Sequence, residues 1–252
     1  MVKAATISTE QNALHVDMVS THKRIFIIIF VSVVLFFSLR ILWNCHMPIS
    51  TNHHFYNMTD RASVKVVVTV FYEALCPDSK YFLTKQVLPT YKVAERIMEV
   101  RLAPYGKART NQINDRITFD CQHGPTECQA NIYHACTVEI IDDPLLRLQV
   151  VSCMITDNYL PQNAMHKCSV QHNVEFDAIQ KCFDSKQGLD LLKLNGEATQ
   201  SLRPSVKFIP TITIDGFQGR QAAILKDLFS EVCRAAGDSE EAKNICKTIN
   251  YY

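Results

Sequence analysis

The stretch that decides the fold is "VKVVVTVFYEALCPDSKYF", residues 64–82. Residues 64–71 form an almost unbroken apolar run, which is typical of a strand covered on both faces of a parallel or mixed sheet. Cys76 and Pro77 follow this strand at the predicted start of a helix. Because free N–H groups and the positive end of the helix dipole stabilise a thiolate there, the stretch also predicts a reactive cysteine. A cysteine that only packs or forms a disulfide is the alternative.

A second strand follows the predicted helix. Helical spacing extends from about residue 79 to 96, although Pro89 is expected to end or kink this helix because proline lacks an N–H group. The segment "IMEVRLA", residues 97–103, is the next strand candidate. Strand, helix and strand together predict a β-α-β unit.

Three later segments complete the predicted domain. Residues 121–201 are rich in cysteine and helical in composition, Thr211–Ile214 is strand-like, and residues 221–236 carry a helical apolar stripe. This order predicts an α/β protein, in which a small mixed sheet carries a disulfide-rich helical insertion at about 121–201. Two separate domains fit less well, because the closing strand and helix would lack a partner sheet.

Composition and charge exclude several classes of function. With 252 residues, 47% of them hydrophobic, the chain is long enough to bury a core. A net charge of +1 predicts no general attraction to nucleic acid. Only seven glycines occur and no Gly-rich phosphate loop is present, so we expect neither a nucleotide cofactor nor any other cofactor.

The N-terminal part of the chain divides into three predicted segments. Residues 1–24 are polar and predicted to be disordered, residues 25–43 are apolar, and residues 44–62 form a polar tether before a folded domain at 63–252. The apolar segment is predicted to be either an uncleaved signal anchor that crosses the membrane in type II orientation or a signal peptide. Both interpretations place the domain in a lumen or outside the cell.

Ten cysteines and one glycosylation sequon indicate the same compartments. Cytosolic reducing systems keep thiols free, so a chain with this many cysteines is more typical of an oxidising compartment. The sequon begins at Asn57, within the polar tether, where an exported chain would be open to glycosylation. We therefore expect a glycoprotein of the secretory or endolysosomal lumen, or of the cell exterior.

The segment "CQHGPTECQANIYHAC", residues 121–136, follows the pattern C-Q-H-G-x2-E-C-x2-N-x4-C at every fixed position. It resembles the signature of the gamma-interferon-inducible lysosomal thiol reductase family, and the chain is similar to that family over residues 64–246. The resemblance implies a thioredoxin-like fold with a helical insertion, and a lysosomal or secreted enzyme that reduces protein disulfides at acid pH. Cys76 matches the first cysteine of the family's C-x-x-C site, whereas Ser79 stands where the second would be.

Pro210 gains a role from the same resemblance. In thioredoxin-like folds the proline before the corresponding strand is cis, faces the active cysteine and offers backbone to an extended substrate. An ordinary proline at the first position of a strand is the alternative.

The cysteines of the folded domain predict a set of disulfides. Nine of them follow the tether, and because nine is odd at least one stays free. If Cys76 is free, the other eight form four bridges, for which there are 105 possible connectivities. Cys233 with Cys246 is the one local pair that the spacing suggests. The eight candidates are Cys121, Cys128, Cys136, Cys153, Cys168, Cys182, Cys233 and Cys246.

A zinc site is a further interpretation of the signature segment. Cys121, His123, Cys128 and Cys136 offer ligands, but they lack the close C-x2-C pairs of structural zinc sites. Since an oxidising compartment favours disulfides, we expect no metal. His123 is expected to be a structural or surface residue rather than a catalytic base.

Three functions stay open, because the hydroxyl of Ser79 does not resolve a mixed disulfide. The first is a thiol–disulfide oxidoreductase that works by a monothiol route, with Cys76 as nucleophile, Ser79 as hydrogen-bond donor to the thiolate and Pro210 as docking element. Its substrates would be disulfide-containing or unfolded proteins, and its donor a small thiol such as cysteine or glutathione. The second is a redox-inactive thioredoxin-like module that binds polypeptides, and the third is a membrane-tethered structural protein.

Overall fold

The computed structural model describes residues 29–40, 65–114 and 116–247. Asn57, the predicted leader and the predicted tether lie outside these ranges, so the expectations for them stay predictions. All structural statements that follow refer to the described residues.

The chain divides into two units, residues 1–61 and 62–252. In the first unit, residues 29–40 form helix α1, whose side chains are exposed. No helix in the described ranges combines the length and the apolar character needed to cross a bilayer. Residues 25–28 and 41–43 of the predicted apolar segment lie outside those ranges.

The second unit begins with the predicted β-α-β unit. Strand β1, Val66–Tyr72, pairs in parallel with strand β2, Met98–Pro104, in a register that sets Val68 opposite Val100. No residue of β1 is exposed, because the strand is central in its sheet and covered by helices. This burial accounts for the unbroken apolar run in the sequence.

One helical run connects β1 to β2. Helix α2, Pro77–Phe82, a π-helical turn at Leu83–Val87 and helix α3, Leu88–Ala94, follow one another without a break. Of the two effects predicted for Pro89, an end of the helix is wrong, since this residue lies in the first turn of α3. A proline leaves one carbonyl without its helical partner, and a π-helical turn beside it lets the helix continue.

A hairpin follows β2 that the sequence did not predict. Strand β3, Arg109–Ile113, pairs antiparallel with strand β4, Arg116–Asp120, and most of their residues are exposed. Their sequences, "RTNQI" and "RITFD", are largely polar, so the apolar run that identified β1 is missing here.

The predicted helical insertion consists of five helices. Proline occupies the first position of three of them, where its missing N–H breaks no helical hydrogen bond. The helices are α4 (Pro125–Ile140), α5 (Pro144–Met154), α6 (Pro161–Gln171), α7 (Phe176–Asp184) and α8 (Lys186–Ser201).

The chain returns to the sheet as strand β5, Thr211–Ile214, which pairs antiparallel with β1 and gives the strand order β2-β1-β5. The outer edge of β5 is closed by one side chain. Gln221 Oε1 accepts from the Ile212 N–H at 3.0 Å, and Gln221 Nε2 donates to the Ile212 carbonyl. These contacts replace a neighbouring strand, so the edge offers fewer free groups for pairing with another chain.

The C-terminal helical region differs from its prediction in one respect. Residues 221–236 form two helices, α9 (Gln221–Lys226) and α10 (Leu228–Ala236), rather than one. Asp227 separates them, because its carboxylate caps α10 by accepting from the Ser230 N–H at 3.0 Å. Helix α11, Glu240–Cys246, follows.

Two apolar cores and four disulfides hold this unit together. One core joins the sheet to its helices and the other fills the insertion. Three disulfides lie in or border the insertion, and the fourth ties α10 to α11 as the spacing suggested. The bridges are Cys121–Cys128, Cys136–Cys182, Cys153–Cys168 and Cys233–Cys246. The predicted fold class, a mixed α/β sheet with a disulfide-rich helical insertion, is confirmed.

Candidate active site

Cys76 lies at the end of a tight turn between β1 and α2. Its N–H donates to the Glu73 carbonyl at 3.3 Å, and Pro77 opens the helix directly after it. The residue is 9% exposed and is the free cysteine of the described chain. Its Sγ donates to the carbonyl oxygen of Ile209 at 3.8 Å.

Pro210 lies opposite this turn. The Ile209–Pro210 peptide bond is cis, which is the geometry that the resemblance implied. Since Ile209 accepts from Cys76 Sγ, the structure brings the predicted nucleophile and the predicted docking segment together. Residues 76 and 209 are 133 positions apart, so only the fold makes this contact.

The hydrogen bond that Ser79 forms differs from the predicted one to the Cys76 sulfur. Its side chain is fully buried, and its Oγ accepts from the backbone N–H of Glu73 at 3.4 Å. Within the described residues, no hydrogen bond joins Ser79 Oγ to Cys76 Sγ. The expected donation to the sulfur is therefore not made in this structure, because the hydroxyl faces the first residue of the turn instead.

Two asparagine side chains hold the turn that ends at Cys76. Asn131 Oδ1, on α4, accepts from the Ala74 N–H at 2.9 Å. Asn158 Nδ2, in the loop after α5, donates to the Ala74 carbonyl at 3.4 Å. Ala74 and both asparagines are buried, so these side chains satisfy backbone groups that water does not reach.

The helix α4 presents a buried polar stripe to this region. Glu127, Asn131 and His134 are spaced i, i+4 and i+7, which places them on one helix face, and none of the three is exposed. His134 Nδ1 lies 3.0 Å from Tyr72 Oη, and its Nε2 lies 3.0 Å from Asn158 Nδ2. Burial lowers the pKa of His134 to about 3, so the ring is neutral at ordinary pH.

A second polar cluster includes Glu73, the first residue of the turn. His123 Nδ1 is 2.5 Å from Glu127 Oε2 and 3.6 Å from Glu73 Oε2, and Glu73 Oε1 accepts from the Lys107 N–H at 2.8 Å. Burial, the largest effect, raises the pKa of the Glu73 carboxyl. The hydrogen bond from the Lys107 N–H lowers this pKa, and the negative charge of Glu127 raises it. His123 is thus a partly exposed structural partner of two buried carboxylates.

Among the described residues, this cluster is the one group of side chains whose ligand atoms lie close enough together to hold a metal ion. Glu73, His123 and Glu127 offer one ligand atom each, all within 4.8 Å of one another, and one imidazole with two carboxylates is a donor set that zinc accepts. In this structure the imidazole is itself the partner of both carboxylates. The zinc interpretation of Cys121, Cys128 and Cys136 is wrong, because all three sulfurs are in disulfides.

The three segments that meet at the Cys76 turn, which are α2, the loop after α5 and the residues before Pro210, each carry an exposed aromatic side chain. Tyr81 on α2, Tyr159 in the loop after α5 and Phe208 before the cis proline are 58%, 80% and 40% exposed. Lys80 Nζ donates to the Thr156 carbonyl at 2.6 Å, which ties α2 to the loop that carries Tyr159. A cavity of about 540 Å³ opens beside this loop, next to the Cys153–Cys168 bridge.

The fold and the site define the class of the protein. A central strand, a cysteine at the following helix and a cis proline before an antiparallel strand are thioredoxin-like, and the helices between them are an insertion. The fold is similar to that of oxidised BdbD from Bacillus subtilis, with a TM-score of 0.51, 12% identity and coverage of 70% of this chain and 89% of that one. At 12% identity, this similarity is evidence for the fold alone.

Sequence comparison identifies the family. Residues 67–172 match Gamma interferon inducible lysosomal thiol reductase (GILT). A gamma-interferon-inducible lysosomal thiol reductase-like protein of Anopheles gambiae is 32% identical over 169 residues, covering 62% of this chain and 70% of its own length. The corresponding goldfish (Carassius auratus) reductase is 31% identical over 171 residues, 67% of each chain.

A GILT-like protein of Caenorhabditis elegans is 34% identical over 172 residues, which are 68% of this chain and about half, 52%, of that protein. The chain belongs to the gamma-interferon-inducible lysosomal thiol reductase family. This membership places it among the thiol–disulfide oxidoreductases as a class. Several disulfides fit a location outside the cytosol, as in that family.

Proposed function

We propose that this protein reduces protein disulfides by a monothiol route in which Cys76 is the nucleophile. The observation that carries the proposal is the contact between Cys76 Sγ and the backbone of Ile209, directly before the cis proline. A polypeptide that binds in extended form beside Pro210 would bring its disulfide to this sulfur. Family membership supports the reaction class.

The reaction needs three exchange steps. In the first, the Cys76 thiolate attacks one sulfur of a substrate disulfide, a new S–S bond forms, and the other substrate sulfur leaves as a thiolate that takes up a proton. In the second, the thiolate of a small thiol such as cysteine or glutathione attacks the Cys76 sulfur of this mixed disulfide, so that the donor becomes bound to Cys76 and the remaining substrate sulfur leaves as a thiol. In the third, a second donor thiolate attacks the donor sulfur bound to Cys76, and the Cys76 thiolate leaves. Two donor thiols become one donor disulfide, and one substrate disulfide becomes two thiols.

Ser79 leaves the first step intact and removes the internal second step. A hydroxyl oxygen does not attack the mixed disulfide, so turnover depends on the external thiol. In the resting structure Ser79 supports the turn through Glu73 rather than the sulfur. We therefore assign stabilisation of the thiolate to the N-terminus of the helical run that starts at Pro77.

The site of action proposed for this activity is the lumen of the endolysosomal or secretory route, or the cell exterior. Four disulfides support an oxidising compartment, and the sequon at Asn57 predicts a glycan there. Disulfide-containing or unfolded proteins are the proposed substrates.

The test follows the reduction of a denatured disulfide-bonded protein by the full chain with excess cysteine. Cys76→Ser is expected to abolish protein-dependent reduction, because it removes the nucleophile. Cys45→Ser, which removes the other cysteine outside the four bridges, is the matched control and is expected to keep the activity. Full reduction by Cys76→Ser would contradict the proposal.

A second candidate function is polypeptide binding without turnover, and the exposed aromatic side chains beside the site favour it. Tyr81, Tyr159 and Phe208 offer apolar surface to an unfolded chain. If this function is the right one, a reduced unfolded protein binds the Cys76→Ser variant as tightly as the wild type, and no thiol donor produces turnover in either.

A further inference from the structure

We propose that Asn131 and Asn158 are positioning residues for Cys76, acting on the reactive sulfur through the peptide units on either side of Ala74. This inference rests on the proposed function of Cys76 and gives the asparagine of the signature segment a role in it. Neither side chain forms a hydrogen bond to Cys76.

The first step of the argument is the shape of the turn. Glu73 and Cys76 are joined by the hydrogen bond from Cys76 N–H to Glu73 carbonyl, so Ala74 and Leu75 are the central residues of a four-residue turn. In such a turn the orientation of the last residue depends on the two central peptide units. Any rotation of the Ala74 peptide units therefore moves the sulfur relative to the helix and to Ile209.

The second step is that protein side chains hold both backbone groups of Ala74. Its N–H donates to Asn131 Oδ1 at 2.9 Å, and its carbonyl accepts from Asn158 Nδ2 at 3.4 Å. Ala74 is 1% exposed, so neither group has bulk water as an alternative partner. If one asparagine is removed, the turn must either leave a buried polar group unpaired or change shape to reach another partner.

The third step concerns the remaining polar atoms of the two asparagines. Asn131 Nδ2 and Asn158 Oδ1 are buried and have no hydrogen-bond partner in the structure. A buried amide with one unpaired group costs free energy that an apolar side chain of similar size would avoid. The hydrogen bonds to Ala74 offset this cost, so the gain from each amide lies in the turn that it holds.

The fourth step is that both asparagines are themselves held in place. Asn131 lies on α4 between the half-cystines Cys128 and Cys136, which bridge to Cys121 and Cys182. Asn158 Nδ2 lies 3.0 Å from His134 Nε2, another residue of α4. The insertion thus provides a rigid platform for the turn, and a platform of this kind fixes the geometry of a reactive group.

The experiment measures the rate at which iodoacetamide alkylates Cys76 in the full chain, as a function of pH, by mass spectrometry of the peptide that contains it. The variants are Asn131→Leu and Asn158→Leu, which keep the approximate volume and remove the hydrogen bonds. We expect the alkylation rate at pH 7 to fall about fivefold to tenfold and the pH profile to shift, as for the loss of one buried hydrogen bond. A purely structural role would lower stability without moving the profile.

Two controls separate these outcomes. Thr199→Val removes another hydrogen bond, from the hydroxyl of the buried Thr199 to the carbonyl of the half-buried Asn195, in α8 and outside the turn. It is expected to lower the thermal midpoint and leave the alkylation profile unchanged. Asn131→Ala, which also removes the hydrogen bond to the Ala74 N–H, replaces Asn131→Leu if the latter does not fold. Asn131→Asp, which keeps an acceptor oxygen for this N–H, is the second control and is expected to retain more of the wild-type rate than Asn131→Leu or Asn131→Ala.

The proposal is overturned if folded Asn131→Leu and Asn158→Leu have the wild-type rate and pH profile, or if Thr199→Val shifts the profile equally. The proposed function fails by a different result. A wild-type Cys76 that is alkylated no faster than a cysteine in an unfolded peptide, and that supports no reduction, would remove the nucleophile itself. Because alkylation does not depend on substrate or thiol donor, the two failures are distinguishable.

Discussion

The sulfur of Cys76 lies 3.8 Å from the carbonyl oxygen of Ile209, the residue that precedes the cis proline. This contact joins the start of α2 to the segment that leads into β5. The hydrogen-bond acceptor of the thiol thus belongs to the backbone segment that we propose as the docking site of an extended substrate. A substrate that binds along this segment would therefore compete with, or replace, the hydrogen bond of the thiol.

Replacing Ser79 with cysteine is expected to restore an internal second step. The position is fully buried, three residues after Cys76 in the same helical turn, so a sulfur there lies within the geometry of a C-x-x-C site. With limiting cysteine as donor, we expect Ser79→Cys to reduce a denatured disulfide-bonded protein at least about tenfold faster than the wild type. The rate is measured from the appearance of substrate thiols.

Ser79→Ala is the matched control for that experiment, since it removes the hydroxyl and adds no sulfur. It is expected to give no gain at limiting donor. An equal gain in Ser79→Ala and Ser79→Cys would show that the hydroxyl itself inhibits the reaction, and would contradict a resolving role for the new thiol.

The buried ring of His134 is expected to make stability fall in acid. Its pKa is about 3 in the folded protein, against about 6.5 in an unfolded chain. Between these values the unfolded state binds a proton that the folded state does not, so the contribution is present above about pH 6.5 and is lost as the pH falls. From pH 7 to pH 5 this single group lowers the free energy of unfolding by about 2 kcal/mol.

Urea unfolding of His134→Gln at pH 7, 6 and 5 tests this expectation. The variant should be less stable than the wild type at pH 7, because the contacts with Tyr72 and Asn158 are disturbed, but its stability should depend less on pH. His166→Gln, at an exposed position of α6, should keep the wild-type pH dependence. Parallel curves for His134→Gln and the wild type would refute a neutral buried His134.

Glu231 is expected to stabilise the folded protein through a contribution that is lost at lower pH than the contribution of His134. Its carboxylate accepts from Arg220 at 2.8 Å and from Arg234 at 2.8 Å, and these contacts, Arg220 first, lower its pKa to about 2. The contribution is therefore complete above the unfolded value of about 4.3 and is lost as the pH falls toward about 2. Because both arginines are about half exposed, we expect Glu231→Gln to cost only about 1 kcal/mol at pH 7.

The measurement for Glu231 is the difference in free energy of unfolding between the wild type and Glu231→Gln at pH 7, 4 and 3. The difference should be largest at pH 7 and should shrink at pH 3. Glu197→Gln, whose carboxylate forms an exposed pair with Lys193 at 3.8 Å, is expected to change stability little at any pH. A constant difference for Glu231→Gln would exclude the ion pairs as its cause.

Gly196 in α8 is expected to resist replacement by alanine. A Cβ built at this position lies 2.5 Å from Cε2 of Tyr105, which is fully buried and cannot swing into solvent. Alanine favours a helix by about 1 kcal/mol over glycine, but overpacking a core costs about 1–3 kcal/mol. We expect Gly196→Ala to lower the free energy of unfolding by up to about 2 kcal/mol.

Gly219→Ala is the comparison for that variant, since a Cβ there meets no atom within 4 Å. Its stability should remain within about 0.5 kcal/mol of the wild type. If Gly196→Ala proves more stable than the wild type in urea unfolding, helix propensity outweighs the contact with Tyr105 and the packing argument is wrong.

Much of the fold was predictable because its signals are local. The apolar run of β1 reflects a strand with no exposed residue, and the short strand Thr211–Ile214 has the bounds that the sequence predicted. The hairpin of β3 and β4 was not predictable, because its residues are polar and its pairing depends on the surfaces around it. The break between α9 and α10 was also missed. A single residue, Asp227, makes this break, because it caps α10 instead of continuing α9.

The sequence by itself determined the chemistry that is available: an odd number of cysteines in the folded domain, one of them at the predicted start of a helix, with serine at the resolving position. Only the tertiary structure decided what surrounds that cysteine. Asn131, Asn158 and the carbonyl of Ile209 come from segments that lie 55 or more residues away along the chain. The physical reason is that buried backbone groups need partners, and which partner reaches them depends on how the insertion packs on the sheet.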